Sequence, residues 1–519
     1  MATEIELKLA ARRGDLPALT RALEGMAVRP GPSRTRLVST YYDSAERTLA
    51  RRCLTLRVRK AGRRYIQTVK SAGAAGGSML GRGEWEDVVA SERPDLGARE
   101  TGRLLPPEIG KHLQPVFSTR VVRLVIPLAP TPDTRIEAAV DRGDIRAVEC
   151  SRAEPINEIE LELREGSPTA LYDVALKLLE IAPVRLDLRS KAERGYSLAA
   201  DGAPADQARP GRAEIGPEET GEAALHAVGH ACVTQLLANE EAALTGDAEG
   251  IHQMRVALRR LRAILSAFGK LIPKERRSTL DGELHWLTRA LGAARNLDVF
   301  AGVVAGPATQ AVPDAAALER LGKAVERHRR AAYGSARQAI RSPRYTALLL
   351  TLMRWFDGRL WRGGPGQRTD ERLFWPVREL APLLLDRRRR QVKKRSRGFA
   401  RQSPEQRHCL RIALKKLRYT LELFAALYDP EETRRTIQWL KRLQDWLGEA
   451  NDLQTGRKLV DELARGRRGP VAQAGHQLLL WHARRLEAIE PRLRDHLRQL
   501  RRAPRLWRAT EQATAETAG

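Results

Sequence analysis

The chain has 519 residues, of which 42% are hydrophobic and 30% charged, and its formal net charge is +27. This length predicts two to four domains, and the hydrophobic content is sufficient for packed cores, which excludes a disordered polymer. No apolar run approaches the roughly 20 residues that a membrane helix needs, and the N-terminal segment does not have the pattern of a secretory signal. The four cysteines form no CxxC pair, so a cytoplasmic location is expected and a zinc or thiol-redox site is not.

The positive charge is distributed unevenly. Residues 1–200 have a net charge of +6, whereas the remainder has +21. A basic region of this size attracts polyanions. The C-terminal part is therefore the predicted site of polyanion binding.

The first 200 residues are dominated by segments with strand-like alternation. Turns rich in Gly, Pro and Asp separate them at the spacing of an antiparallel barrel or sandwich. Helices are predicted at Leu16–Met26 and Thr169–Ile181, and a linker at 201–217. Beside the opening segment, strands are predicted at Thr55–Lys60, Arg64–Lys70, Arg82–Val89, Arg120–Pro127, Arg135–Asp141 and Asn157–Glu165.

The alternation in these segments separates charged side chains from aliphatic ones. Successive side chains of a strand point to opposite sides, so Glu4, Glu6 and Lys8 share one face while Ile5, Leu7 and Leu9 share the other. A solvated outer face of an open sheet explains one such strand. Because several strands repeat the pattern, a closed barrel with a charged lumen is the alternative.

A lumen that contains both signs of charge suits a polyanion brought in with a cation. Arginine binds phosphate oxygens through a bidentate fork and lysine as a point charge. Carboxylates repel phosphate, so their presence beside the cations indicates oxygen ligands for Mg²⁺ or Mn²⁺. The cations on these strands are Lys8, Arg57, Arg59, Lys70, Arg82 and Arg123.

Residues 1–200 resemble the CYTH, or triphosphate tunnel metalloenzyme, family. The most specific feature is ExExK at Glu4–Lys8, and eight further similar segments follow in the expected order. The resemblance implies an α+β domain built on an eight-stranded antiparallel tunnel that binds a triphosphate and a divalent metal. The similar segments are Tyr41–Asp43, Leu56–Arg59, Gln67–Lys70, Arg82–Glu86, Val116–Arg123, Glu137–Gly143, Glu158–Leu163 and Ser190–Tyr196.

The resemblance also implies roles for individual residues. The carboxylates Glu4 and Glu6, with two of Glu158, Glu160 and Glu162, are expected to bind Mg²⁺ or Mn²⁺, and Glu4, Glu6 and Lys8 are the expected catalytic residues. Glu84 and Glu86 either orient the cations or join the metal site, and Tyr41 and Tyr42 are interpreted as packing residues. The expected phosphate-binding residues are Lys8, Arg57, Arg59, Lys70, Arg82, Arg123 and Lys191.

The expected reaction is hydrolysis of inorganic triphosphate to pyrophosphate and phosphate, with a metal-activated water attacking the terminal phosphorus. The family also includes hydrolysis of thiamine triphosphate, removal of RNA 5′-triphosphates and synthesis of cyclic AMP. Aromatic residues are only 5% of the chain, and no base-specific pocket is evident. This composition favours a small inorganic substrate.

The remainder of the chain is helical and internally repeated. His252–Leu265 reappears as His408–Leu421, and Leu291–Asp298 as Leu447–Gln454, both at an offset of 156 residues. Two matches at one offset predict two related helical bundles, at about 220–345 and 370–500. The apolar stripes predicted to be buried are Met254, Leu258, Leu261, Leu265 and Phe268 in the first copy and Leu410, Leu414, Leu417, Leu421 and Phe424 in the second.

Each copy has a basic row beside its apolar stripe. Two such rows on paired bundles predict a positively charged groove for a phosphate chain, although a solvated helix face is the ordinary explanation for such runs. A third basic run, Arg387–Arg397, is equally compatible with nucleic acid. The rows are His252, Arg255, Arg259 and Arg262, and His408, Arg411, Lys415 and Arg418.

Residues 218–510 resemble the CHAD domain, with HxxRxxxxxLR present twice. This resemblance implies binding of inorganic polyphosphate, and it is compatible with association with polyphosphate granules. Because His252 and His408 have only basic neighbours on their faces, contact with phosphate is favoured over metal binding. Three alternatives remain: a non-catalytic protein of such granules, a nucleotide cyclase, and a nucleic-acid-binding protein. The last is disfavoured because the chain has no aromatic stacking platform. The pattern does not determine the oligomeric state.

Overall fold

The computed structural model describes residues 3–71, 81–148, 151–200, 215–362, 369–464 and 469–508. The predicted linker at 201–217 lies mostly outside these ranges. The strands are β1 (Thr3–Ala11), β2 (Ser33–Asp43), β3 (Leu54–Ala61), β4 (Arg64–Ser71), β5 (Gly81–Val89), β6 (Gln114–Thr131), β7 (Thr134–Ala147), β8 (Ala153–Glu165) and β9 (Val184–Leu186).

The helices follow in chain order. In the first part they are α1 (Leu16–Glu24), α2 (Thr48–Arg51), α3 (Thr169–Ile181) and α4 (Lys191–Ala199). The later helices are α5 (Gly221–Ala238), α6 (Glu240–Thr245), α7 (Ala248–Phe268), α8 (Ser278–Ala290), α9 (Gly292–Val304), α10 (Ala315–Ile340), α11 (Pro343–Asp357), α12 (Val377–Arg395), α13 (Pro404–Leu423), α14 (Pro430–Leu463) and α15 (Pro470–Arg502). Within the described ranges, no helix combines the length and the hydropathy that crossing a membrane requires.

Two compact units divide the chain. The first contains Met1–Ala208 and Arg341–Leu360, and the second contains Arg209–Ile340 and Trp361–Gly519. An antiparallel sheet dominates the first unit and helices make up the second, which confirms the predicted fold class. The apolar helix α11 falls between the two predicted bundles in sequence but packs on α3 and β9 of the first unit.

The sheet of the first unit closes on itself. Its order is β5-β4-β3-β2-β6-β7-β8-β1, β1 pairs with β5 to complete the ring, and β9 pairs with β1 outside it. The neighbours within the ring are antiparallel. Neither β2 nor β9 is among the strands predicted from the sequence, whereas α3 has the predicted bounds.

Apolar side chains lie on the outside of this ring. Leu7 and Leu9 of β1 and Ile159 and Leu161 of β8 are fully buried, and α3 packs on both strands. The charged side chains that alternate with them therefore point into the ring. Closure thus explains the alternation better than an open sheet with a solvated face, because helices cover the aliphatic side and the charges line the lumen.

The second unit consists of two helical copies related by a local two-fold arrangement. The backbone N–H of Gly221 donates to the carbonyl of Trp375 at 3.0 Å, and that of Val377 donates to the carbonyl of Glu219 at 2.7 Å. Residues 219 and 375 are 156 apart, as are 221 and 377, so the two bonds are equivalent by the sequence repeat. The repeat therefore extends beyond its motifs to α5 and α12.

The predicted apolar stripes form the core of the two copies. All five stripe residues of α7 and its C-cap region are fully buried, and those of α13 and Phe424 are at most 2% exposed. The copies differ after this point, because the first breaks at Leu291 between α8 and α9 where the second continues as the 34-residue α14.

Candidate functional site

A ladder of charged side chains follows β1, β8 and β7 inside the ring. Antiparallel pairing places Glu6 opposite Glu162, Lys8 opposite Glu160, and Asp141 opposite Glu158. Directly opposed side chains in an antiparallel pair are within contact distance of each other. The register therefore concentrates at least four carboxylates on one wall of the lumen.

Three of these carboxylates form a compact cluster. Asp141, Glu158 and Glu160 each offer an oxygen, and these oxygens all lie within 4.8 Å of one another. The Lys191 ammonium contacts all three, at 2.7 Å from Asp141, 2.5 Å from Glu158 and 2.7 Å from Glu160. Burial lowers the pKa of Lys191, but Glu160, Asp141 and Glu158 outweigh it and hold the pKa well above its usual value.

A helix cap positions Lys191. The Ser190 hydroxyl accepts from the Glu193 N–H at 3.0 Å, and the Glu193 carboxylate accepts from the Ser190 N–H at 2.6 Å. This reciprocal capping box starts α4 with Lys191 as its first residue. From the same helix, Arg194 reaches Glu158 at 2.9 Å and Glu154 at 2.7 Å.

Arg123 of β6 contacts the same cluster from the side. It donates to Asp141 at 2.8 Å through Nε and also contacts Glu160. Lys8 lies 3.7 Å from Glu160. Burial raises the pKa of Glu160, but Lys191, Arg123 and Lys8 together hold that pKa well below its usual range, so the carboxylate is ionised.

A second charged cluster lies on β3, β4 and β5. Arg57 is 3.2 Å from Glu84 and 3.8 Å from Glu86, and Lys70 is 2.9 Å from Glu84. These contacts connect the predicted phosphate-binding cations to the two acidic residues of β5. Glu84 and Glu86 thus contact the cations and lie outside the three-carboxylate cluster.

Arg59 is a cation of the lumen that pairs with no carboxylate among the described residues. It makes no ion pair within 4.0 Å with any carboxylate of the described residues, and its Nε is buried without a hydrogen-bond partner among them. Repulsion by Arg57, burial and repulsion by Arg123 lower its pKa to about 10. This guanidinium is therefore available to an anion that enters the lumen.

Tyr41 lies among the same cations. Burial raises the pKa of Tyr41, but Arg57, Arg59 and Lys191 outweigh it, so the pKa is lowered below its ordinary value. Its ring also stacks on Phe117 at a centroid distance of 4.4 Å. The packing role predicted for Tyr41 is thus accompanied by contact with the lumen charges.

The predicted site residues of the barrel do not all meet at one point. Glu162 pairs with Arg164 at 2.5 Å instead of joining the cluster, and Glu6 lies 3.8 Å from Lys8. The side chains of Glu4 and Arg82 lie outside the described part of the structure. Sequence reasoning missed Asp141 and Arg194, although Asp141 continues the alternation of Arg135, Glu137 and Ala139 along β7.

The two basic rows of the helical unit are built alike. Gly292 lies against Arg255, and Gly448 lies against Arg411, with 3.2 and 3.0 Å between the guanidinium and the position a Cβ would take. The equivalent glycines thus leave room for the equivalent arginines. Burial, Arg259 and Arg295 lower the pKa of Arg255 to about 10.

The two histidines of the rows have different surroundings. His408 Nδ1 lies 2.7 Å from the side-chain amide oxygen of Asn451, a residue in the middle of α14. In the first copy Arg295 occupies the equivalent position. Burial and then Arg295 lower the pKa of His252.

Cations also crowd the second row. Burial, Arg411, Arg259 and Arg418 lower the pKa of Lys415 to about 7, against a smaller opposing effect of Asp452. Arg418 pairs with Glu422 at 2.7 Å and donates to Gln444 at 3.0 Å. Arg259 of the first row and Lys415 of the second are thus close enough to influence each other.

Comparison with known proteins gives matches for both units. An inorganic triphosphatase of Haemophilus influenzae is 33% identical over 164 residues, which are 31% of this chain and 46% of that protein. Among solved structures, the CHAD domain of the plant Ricinus communis is 29% identical with a TM-score of 0.48, covering 57% of this chain and 98% of that one. A putative adenylyl cyclase of Hippeastrum, described as having a dominant triphosphatase activity, is 19% identical with a TM-score of 0.29, covering 37% and 95%.

The family models divide the chain where the fold changes. The CYTH domain model matches residues 2–196, which include every strand of the ring, and the CHAD domain model matches residues 227–461. The two matches occur in the order that the sequence motifs predict. The chain is therefore a CYTH domain followed by a CHAD domain.

Proposed function

We propose that the CYTH domain hydrolyses inorganic triphosphate to pyrophosphate and phosphate, and that the CHAD domain binds inorganic polyphosphate. The proposed hydrolysis rests on one observation: the lumen of the barrel contains a carboxylate cluster and, separately from it, a cation that pairs with no described carboxylate. A compact carboxylate cluster occupies one wall, and Arg59 lacks a carboxylate partner in the described chain. The matched inorganic triphosphatase supports the choice of reaction.

The carboxylate cluster suits a divalent cation. Its three donors are all carboxylate oxygens, the ligand type that Mg²⁺ and Mn²⁺ prefer, and Lys191 already places a positive charge between them. We assign Asp141, Glu158 and Glu160 as the residues that hold the metal. When bound, the metal supplies positive charge to phosphoryl oxygens and acidifies water in the lumen.

The chain's own cations are assigned to the phosphate chain. Arg59 takes phosphoryl oxygens directly, while Arg57 and Arg123 are oriented by Glu84 and Asp141. Fixed positive groups of this kind stabilise charge that develops as the terminal phosphoryl group is transferred to water and pyrophosphate leaves. The ammonium group of Lys191 neutralises part of the negative charge of the three carboxylates. To contact phosphate as predicted, it has to exchange a carboxylate for a phosphoryl oxygen.

Phosphate release from tripolyphosphate tests the reaction. We expect release with Mg²⁺ or Mn²⁺, none after chelation, and a loss of at least about a hundredfold in Asp141→Asn, the size of effect that removing a fixed electrostatic contact produces. Asp144→Asn is the matched control, because Asp144 lies on the same strand, pairs with Arg146 at 2.7 Å and is not part of the cluster. Folded protein that releases nothing would make the barrel a binding domain, and conversion of ATP to a cyclic product would make it a cyclase.

The two basic rows support polyphosphate binding by the CHAD domain. His252, Arg255, Arg259 and Arg262 in one copy match His408, Arg411, Lys415 and Arg418 in the other. Burial, and after it repulsion by neighbouring cations, lowers the pKa of Arg255 and that of Lys415. A bound phosphate chain relieves this repulsion, which is the physical support for the assignment.

Polyphosphate affinity is expected to decrease as the pH rises above 7. The pKa of Lys415 is lowered to about 7, so its charge is present below that pH and lost above it. One proton linked to binding changes the affinity by up to about tenfold per pH unit. Titration of the full chain with linear polyphosphate at pH 6 to 9 and fixed ionic strength measures this effect.

A matched pair of variants isolates the contribution of Lys415. Lys415→Arg keeps a positive charge at high pH and is expected to reduce the pH dependence of polyphosphate affinity. Lys415→Met removes the positive charge of this side chain at every pH. Wild type and Lys415→Arg with the same pH dependence would contradict this assignment.

A further inference from the structure

The basic run on α12 contains residues with different environments. Arg389 donates to the carbonyl oxygen of Pro504 at 2.9 Å and also contacts the carbonyl of Ala503, so it closes the end of α15. Asp386 accepts from Trp507 at 2.9 Å and from Arg505 at 3.0 Å. These two residues therefore have structural partners within the domain.

Arg388 has no comparable partner. It is 2% exposed, its Nη1 donates to the Gln391 side chain at 3.2 Å, and its Nη2 is buried without a hydrogen-bond partner among the described residues. It forms no ion pair with a described carboxylate. A buried charged group with an unused donor is costly, and a bound anion that accepts from this donor would remove part of the cost.

Arg388 is one of four basic residues whose charges act on Lys416 of α13. Helices α7, α12 and α13 pack on one another, and this packing brings Arg262 and Lys416 to the basic face of α12. Burial, and then repulsion by Arg388, Arg395, Arg262 and Arg387, lower the pKa of Lys416. Within the described ranges, none of the five forms an ion pair, and Arg262 and Arg395 are exposed.

The first copy does not contain this arrangement. At the offset of 156 residues the equivalents of Arg387, Arg388 and Arg395 are Ala231, Cys232 and Asn239, and Cys232 is fully buried. The equivalent of Lys416 is Arg260, and that of Arg262 is Arg418, which is paired with Glu422. The cluster is therefore a property of the second copy rather than of the fold.

We propose that Arg388, Lys416, Arg262, Arg387 and Arg395 form a second oxyanion site, the α12 site, which binds a phosphoryl group of a linear phosphate chain. A phosphoryl group has several acceptor oxygens, which match one buried guanidinium, two half-buried cations and two exposed ones. For the identity of its ligand this site rests on the proposed polyphosphate binding. It shares Arg262 with the first basic row, but its other cations lie outside both rows. The charged neighbours of Lys416 on α12 are Arg387, Arg388 and Arg395, whereas those of Lys415 are Arg411, Arg259 and Arg418.

These adjacent lysines allow the two sites to be tested separately in the full chain. Acetic anhydride acylates unprotonated amines, and fragment mass spectrometry distinguishes Lys415 from Lys416. An anion bound beside an ammonium group favours its charged form, so we expect linear polyphosphate to slow acylation at both lysines by at least about tenfold. Arg388→Met is expected to abolish the protection at Lys416 and to preserve it at Lys415.

Controls determine which ligand is bound and where. Arg260→Gln, which changes the equivalent of Lys416 in the first copy, is expected to leave both protections intact. Orthophosphate at the same phosphate concentration is expected to protect Lys416 less than the chain does; equal protection would overturn the assignment to a chain and leave a site for free phosphate. Stronger protection by duplex DNA would overturn the choice of ligand.

The outcomes also separate this site from the proposed function. Protection of Lys415 alone would overturn the α12 site and leave polyphosphate binding by the rows. Protection of Lys416 alone would support the α12 site and contradict the rows. Protection at neither lysine would overturn both.

Discussion

Replacing Glu160 by glutamine is expected to reduce metal-dependent triphosphate hydrolysis by at least about a hundredfold, as for loss of a fixed electrostatic contact in an active site. Glu160 contributes one oxygen to the three-carboxylate cluster and lies 3.7 Å from Lys8 and 2.7 Å from Lys191. Glutamine keeps the shape of the side chain but removes its negative charge. The substitution therefore changes both the metal site and the balance of positive and negative charge in the lumen. Phosphate release and Mn²⁺ affinity are the two measurements.

The same substitution is expected to lower stability modestly. Lys191 retains Asp141 and Glu158, and Arg123 retains Asp141, so the loss is about 1–3 kcal/mol, the cost of an unsatisfied buried group. Glu154→Gln is the matched control on β8, because Glu154 pairs with Arg194 and lies outside the cluster. If Glu160→Gln binds Mn²⁺ and hydrolyses triphosphate like the wild type, the assigned metal site is wrong.

Replacing Arg59 by methionine is expected to stabilise the protein while reducing hydrolysis by about tenfold to a hundredfold, in the range of a lost charge-assisted contact. Repulsion by Arg57, burial and repulsion by Arg123 lower the pKa of Arg59 to about 10, so the folded protein spends free energy to keep this group charged. A pKa difference of this size corresponds to roughly 3–4 kcal/mol, since one unit is about 1.4 kcal/mol. Methionine removes the repulsion and fills much of the volume.

Arg123→Met is the matched comparison for Arg59→Met. Arg123 is also a cation of the lumen, but it contacts Asp141 and Glu160. Its removal leaves two buried carboxylates with fewer partners, so the expected change is destabilisation, by about 3–5 kcal/mol if the pair behaves like other buried ion pairs. Thermal unfolding and steady-state kinetics of both variants give the result, and a loss of stability in Arg59→Met equal to that in Arg123→Met would refute the argument.

The local patterns of the chain were sufficient for much of this site. Alternation along β1 and β8 placed Glu6 and Lys8, and Glu158 and Glu160, on shared faces, because side-chain direction in a strand is set by neighbouring residues. The Ser190–Glu193 capping box that starts α4 could also have been identified from the sequence. Asp141 could not be singled out from the sequence because β7 contains three carboxylates, Glu137, Asp141 and Asp144, and nothing local indicates which of them lies opposite Glu158 of β8.

Interactions between segments that are far apart in the chain determine the remaining features of the barrel site. The division between Glu160 in the cluster and Glu162 beside Arg164 follows from how β8 meets β7, α4 and β6 in the closed ring. Arg59 acquires its significance only because the described carboxylates nearby pair with other cations. Register and closure depend on the pairing of strands that are far apart in the chain. A one-residue shift in the pairing of a strand would turn its lumen-facing side chains to the outside of the barrel.

The sequence by itself determined the two-domain organisation, the faces of the strands and the repeat of 156 residues, because periodicity and internal similarity are local and countable. Only the tertiary structure decided that α11 packs with the barrel, that His408 contacts Asn451 while His252 faces Arg295, and that Arg388 is buried without a carboxylate partner in the described chain. These outcomes depend on which side chains meet across helices and strands, and the free energy of a charge depends on those neighbours and on burial rather than on its own segment.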